Sequence, residues 1–217
     1  MSFKLKNHNI IFIHPPKCGG SSIAEALKSV DGIGEKAKKP GTEITLSAHK
    51  KIKELNKIDF TADEYFVTVR NPYDRFYSYY HFLIEWDKKR LNGELPMKGQ
   101  PRDKLINRIA SLEEMKFDGW VSLLINEKVR TEWHKKHQLL PPFTNQIDWF
   151  KGQTNKPVHV FKIEDGEVWK YLNKKGYNVK RQHIKKSTYR TVPYTEAQKD
   201  LVYKFFIDDF EELKYER

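Results

Sequence analysis

The stretch Ile10-Ile11-Phe12-Ile13-His14-Pro15-Pro16-Lys17-Cys18-Gly19-Gly20-Ser21-Ser22-Ile23 limits what this chain can fold into more than any other. A short apolar run stops at two prolines, which cannot donate to a sheet ladder. A lysine, two glycines and two serines then lead into apolar residues at helical spacing, Ile23, Ala26, Leu27 and Val30. The order predicts a strand over 9–14, a tight loop, and a helix over 21–30. Such a junction suits an anion, because the first N–H groups of a helix have no partner within it and its dipole favours negative charge there. Glycines let the main chain approach closely, and Lys17 adds a full positive charge. The loop is not Gly-x-x-x-x-Gly-Lys-[Ser/Thr], because its lysine precedes its glycines.

A second strand is expected over 65–69, rich in β-branched and aromatic residues, ending at Arg70-Asn71-Pro72. Pro72 suits the first position of a helix, and aromatic residues at helical spacing extend it over 73–90. Between these elements, 31–47 reads as a mobile loop and 49–55 as a short helix. Residues 91–103 read as a loop long enough to be a lid or specificity element. Helical patterns resume over 105–109 and 113–126, a third strand falls over 158–163, and a helix over 167–175. The last helix opens with a capping box, Thr195-x-x-Gln198, and should bury Leu201, Val202, Phe205, Phe206 and Phe210. Strands alternating with helices predict a three-layer α/β/α domain around a short parallel sheet, with ligands at the strand C-terminal ends. No repeat or boundary divides the 217 residues, so one domain over 1–217 is expected.

The net charge of +11 calls for an anionic partner. The lysines are dispersed and carry no helix-turn-helix, zinc-finger or RNA-binding signature, so no nucleic acid is expected. An anionic nucleotide and an anionic acceptor account for the charge equally well. No run approaches the roughly 18 apolar residues of a membrane span, and the N-terminus lacks a signal-peptide core. A single cysteine and no Asn-x-Ser/Thr site fit a reduced, cytoplasmic setting. Histidine spacings of zinc sites are missing, and Ala24 stands where a cysteine phosphatase would need arginine.

The two strand ends, 16–22 and 70–78, are alike in character. In a parallel sheet both open on one edge, so that the site holds two separate anionic groups. The first would rest on loop amides and Lys17, and the second on the planar fork of Arg70 with the hydroxyl of Ser78. A nucleotide with phosphate at both ends of its ribose needs that arrangement, whereas ATP does not.

At this point the pair of motifs resembles the sulfotransferases that use 3'-phosphoadenosine 5'-phosphosulfate, especially the carbohydrate 2-O-sulfotransferase-like group. Their first motif, Pro-Lys-[Thr/Cys]-Gly-[Gly/Ser]-[Ser/Thr]-Ser, corresponds to residues 16–22. Their second, Arg-[Asn/Asp]-Pro-x-x-Arg-x-x-Ser, corresponds to 70–78. A weaker likeness continues through 160–165 and 194–215. The resemblance implies a P-loop-like sulfotransferase fold, with the 5'-phosphosulfate on Lys17, Cys18, Gly19, Gly20, Ser21 and Ser22 and the 3'-phosphate on Arg70 and Ser78. It implies 3'-phosphoadenosine 5'-phosphate as product, a hydroxyl acceptor on a carbohydrate, and no metal. Lys17 would then serve the leaving oxygen and His49 the acceptor proton, since relatives place a catalytic histidine shortly before the second strand. His134, His137 and Gln146 fall in the region resembling the acceptor side, and 185–188 resembles a loop that closes on the cofactor. Arg75 is left between a cofactor contact and an ion-pair partner, and His14 between facing the site and supporting the strand. Two other readings stand beside this one: a P-loop nucleotide-dependent kinase, and a non-catalytic nucleotide- or glycan-binding protein on the same fold.

Overall fold

The computed structural model describes residues 2–38, 49–97, 100–137, 143–181 and 194–217. In chain order the strands are β1 (Phe3–Leu5), β2 (Ile10–Ile13), β3 (Ile33–Lys36), β4 (Glu64–Val69) and β5 (Val158–Lys162). The helices are α1 (Gly20–Lys28), α2 (Ile52–Asn56), α3 (Pro72–Leu91), α4 (Arg102–Ser122), α5 (Glu127–His137), α6 (Glu167–Lys174), α7 (Glu196–Phe205) and α8 (Ile207–Leu213). These elements gather into two compact units, Met1–Asn71 with Asn145–Thr188, and Pro72–Thr144 with Tyr189–Arg217. No helix among the described residues is long and apolar enough to cross a membrane.

The first unit is α/β. Its sheet has the order β3-β1-β2-β4-β5, with β2, β4 and β5 parallel as expected. The sheet is mixed, however, because β1 runs antiparallel to both β2 and β3. Neither β1 nor β3 was legible as a strand. Three residues are too few for a period-2 signal, and β3 is an exposed edge containing Gly34 within the span read as a mobile loop. Side chains alternate across the sheet. Ile10, Phe12 and Phe66 pack with Ile23, Ala26 and Leu27 of α1 and with Val168, Trp169 and Leu172 of α6. Ile11, Ile13, Tyr65 and Val67 turn to the other face, where Ile52 and Leu55 of α2 are buried. Helix α1 stops at Lys28, so Val30 is 38% exposed and lies outside the buried face expected of it.

The described elements of the second unit are all helices. Its core joins Phe76, Tyr79, Tyr80 and Leu83 of α3 to Leu112, Trp120 and Val121 of α4, Trp133 of α5, and Val202, Phe206 and Phe210. The indole of Trp120 lies at the centre, 5.6 Å from the ring of Phe76, 5.3 Å from Trp133 and 5.0 Å from Phe143. A buried ion pair in this unit has two-pronged geometry, which offsets desolvation: Arg108 donates to Asp87 through Nε (2.5 Å) and Nη2 (2.6 Å).

Helix boundaries differ from the sequence reading where the signal was not periodic. The two patterns over 105–109 and 113–126 form α4, broken at Lys116 (φ 54°, ψ −172°). Asn126 instead stands before α5, its Oδ1 accepting from the Val129 N–H. The capping box at Thr195 and Gln198 is present, but the single C-terminal helix divides at Phe206 (φ −108°, ψ 29°) into α7 and α8.

Replacing Trp120 by alanine removes the ring around which these aromatic residues pack. It is expected to lower the free energy of unfolding by about 3–5 kcal/mol, measurable by urea denaturation.

Candidate functional site

The first unit carries one sheet edge on which several chemistry-bearing residues meet. Because β2 and β4 are parallel, with Ile13 opposite Val67, the loop 14–20 and the turn at Arg70-Asn71 leave the sheet at the same end. The expectation of two strand ends opening on one edge therefore holds in the geometry.

The loop after β2 is shaped by backbone and packing. Lys17 (φ 68°) and Gly19 (φ 79°) are both left-handed, and such alternation turns successive N–H groups toward one side, as in anion-binding nests. A lysine in that region is uncommon and carries a cost of order 1–3 kcal/mol, a form of strain found where a loop holds a ligand. Gly19 is the N-cap of α1 and offers no side-chain cap. Gly20 is required by close approach, since a Cβ there would lie 2.0 Å from Cδ2 of His14. Cys18 is fully buried, while Lys17 and Ser22 are half-buried and Ser21 is exposed. The loop thus presents a cation, a hydroxyl and backbone donors at a helix N-terminus, the chemistry of a phosphate or phosphosulfate cradle.

His14 and His49 sit beside this loop. The His14 ring, 7% exposed, stacks on Phe12 with centroids 5.7 Å apart and fills the notch at Gly20. His49 precedes α2, and its Nδ1 lies 2.8 Å from the carbonyl oxygen of His14. A carbonyl only accepts, so Nδ1 is the donor and the neutral ring keeps its lone pair on Nε2. The His49 ring also meets His14 at 4.5 Å and the edge of Trp149 at 6.2 Å. A histidine held in one tautomer by a backbone oxygen is equipped to take a proton.

Gln146 is placed otherwise than its acceptor-side position in the sequence suggested. It is fully buried. Its Oε1 accepts from the Arg70 N–H at 2.8 Å and from the Cys18 thiol at 2.9 Å, and its Nε2 donates to the Arg70 carbonyl at 2.8 Å. Thr68, also fully buried, donates from Oγ1 to the Cys18 carbonyl at 2.7 Å. The Asn71 N–H donates to Glu164 at 2.8 Å. These ties among strand ends carry no sequence motif; only the fold, which buries Thr68 and Gln146 and brings Glu164 to Asn71 at the surface, reveals them.

The remaining candidates lie in the second unit or outside the described residues. Ser78 is half-buried on α3. Arg75 resolves toward its structural alternative: it is 2% exposed, with Nη1 2.8 Å from the Thr144 carbonyl and 3.8 Å from Asp209. His137 closes α5. His134 packs against Trp133 and Phe143, and desolvation, aided by nearby Arg130, pushes its pKa down to about 4. The segment 185–188 lies outside the described residues.

A family model described as the sulfotransferase family matches residues 3–216. The chain therefore belongs to the sulfotransferase family. No curated protein and no solved structure matches it significantly.

His134 generates a prediction about stability. An unfolded histidine near its ordinary value of 6.5 takes up a proton that the folded ring, at about 4, does not. Stability is therefore complete above the unfolded value and falls as pH drops from 6.5 toward 4. Urea midpoints at pH 5 and pH 7 should differ less in His134→Phe than in the wild type.

Proposed function

We propose that this sulfotransferase moves a sulfuryl group from 3'-phosphoadenosine 5'-phosphosulfate to a hydroxyl on a carbohydrate acceptor. The observation that carries the reading is the parallel pairing of β2 and β4, which brings the phosphate-type loop at Lys17 and the Arg70 strand end to one sheet edge. A donor with an anion at each end of its ribose fits two such ends. The donor set supports the fit: left-handed backbone at Lys17 and Gly19, an N-terminal turn of α1 without a side-chain cap, and a guanidinium on the neighbouring strand end.

The bound nucleotide supplies an activated sulfuryl group on a phosphate that can leave. Lys17 and the loop amides bind the 5' end and stabilise the negative charge that grows on the leaving oxygen. Arg70 binds the 3'-phosphate through its planar fork and so orients the nucleotide. His49 receives the acceptor proton at Nε2, with its Nδ1–H held on the His14 carbonyl. His14 positions that base and the loop together, since its ring rests on Gly20 and its carbonyl holds His49. A transferring sulfuryl group carries less negative charge than a phosphoryl group, so lysine and amide donors suffice without a metal. The carbohydrate acceptor rests on the family resemblance and on the positive charge of the chain.

Calorimetric titration without magnesium tests the donor. The wild type should bind 3'-phosphoadenosine 5'-phosphate more tightly than ATP or 5'-AMP, and Arg70→Ala should abolish the preference over 5'-AMP. Tighter binding of magnesium–ATP would instead favour the kinase reading. His49→Ala should leave nucleotide binding intact and slow transfer to acceptor by about 10²-fold or more. Unchanged turnover would remove His49 from the mechanism.

A further inference from the structure

Gln146 closes a gap that the sheet itself leaves open. The Val69 carbonyl accepts from the Ile163 N–H at 2.9 Å and so faces the β5 side. In a parallel strand the next residue directs both its N–H and its C=O the other way, toward β2. By that level β2 has ended at Ile13 and the chain has turned into the loop, so no strand remains to pair with Arg70. The Gln146 side chain takes the place of that strand, accepting from the Arg70 N–H and donating to the Arg70 carbonyl, both at 2.8 Å. The amide orientation is fixed by these partners, because one can only donate and the other only accept. The same Oε1 takes the Cys18 thiol at 2.9 Å, so one fully buried side chain is bonded to both strand ends.

We infer that Gln146 is a positioning residue for donor specificity: it fixes Arg70 against the loop at Cys18 and thereby sets the spacing at which the two ends of a 3',5'-bisphosphorylated nucleotide are read. This rests on the donor reading proposed above. Glutamate cannot fill the role, since it lacks the donor for the Arg70 carbonyl. Methionine matches the length but offers neither bond, leaving the Arg70 N–H and C=O without these partners in a part-buried place. Either change lets the Arg70 backbone shift, and an ångström of misplacement at a charged fork is costly in recognition.

The test is the ratio of affinities for 3'-phosphoadenosine 5'-phosphate and 5'-AMP, measured by calorimetry on the wild type, Gln146→Met and Gln146→Glu, with thermal unfolding of each protein without nucleotide. The ratio should fall about tenfold or more in both variants, with 5'-AMP affinity changing less. A general loss of stability would weaken both nucleotides together and leave the ratio in place. Hydrogen exchange on the unsubstituted protein gives a readout that needs no variant to fold: the Arg70 amide should be protected, and further protected by the bisphosphate but not by 5'-AMP. A ratio kept in a folded variant, or rapid exchange at the Arg70 amide, overturns the role of Gln146 while leaving the donor reading standing. A wild type with no preference for the bisphosphate overturns the donor reading and this inference with it.

Discussion

The parallel pairing of β2 with β4 is the constraint on which the rest of the site depends. Both strands are buried along nearly their whole length, so their register is held by packing on two faces. Phe12 and Phe66 are register partners, and their stacked rings, 4.7 Å apart, lie among the side chains of α1 and α6. A slip of one residue would exchange the contents of the two faces. Parallel rather than antiparallel direction is what sends the two following loops off one edge. With a hairpin in place of this crossover, a lysine-glycine loop and an arginine turn would emerge at opposite ends.

What happens past the last paired residues is decided by side chains. Beyond Ile13 the strands part, and polar side chains take over the work of the ladder: buried Thr68 on Cys18, buried Gln146 on Cys18 and Arg70, and, at the surface, Glu164 on Asn71. Buried polar groups of this kind are costly unless satisfied, and when satisfied they fix a single arrangement. The loop itself holds Lys17 in a left-handed conformation that a lysine adopts at a cost. A site of fixed dipoles and charges needs no rearrangement when negative charge develops within it, which is where such rigidity becomes useful to catalysis.

Local signals in the sequence were sufficient for β2, β4 and β5, for Pro72 opening α3, and for the Thr195–Gln198 capping box, because each rests on residues adjacent in the chain. The same holds for the tight loop that joins β2 to α1. Non-local facts were not legible. A three-residue strand such as β1 owes its existence to pairing with β2 and β3, and its Phe3 and Leu5 are buried by partners distant in sequence. The burial of Arg75 depends on Thr144 and Asp209, each far along the chain, and the same residue in isolation could equally have faced a ligand. Gln146 was visible only as a polar residue in the acceptor-side region. Its distance of 76 residues from Arg70 hides a relation that the fold makes immediate.

The position of His49 follows from the same strand end as the loop. Its Nδ1 is tied to the carbonyl of His14, the residue at which β2 gives way to the loop, and the ring of His14 rests on Gly20 at the start of α1. The proposed base and the proposed leaving-group lysine are therefore referred to one short piece of backbone, with only Pro15 and Pro16 between His14 and Lys17. A base carried only by an independent loop would have to be brought into line with the sulfuryl acceptor in each turnover. One held by the backbone of the loop after β2 is aligned when that loop folds, and under the proposed donor reading a nucleotide on the loop would steady both groups at once.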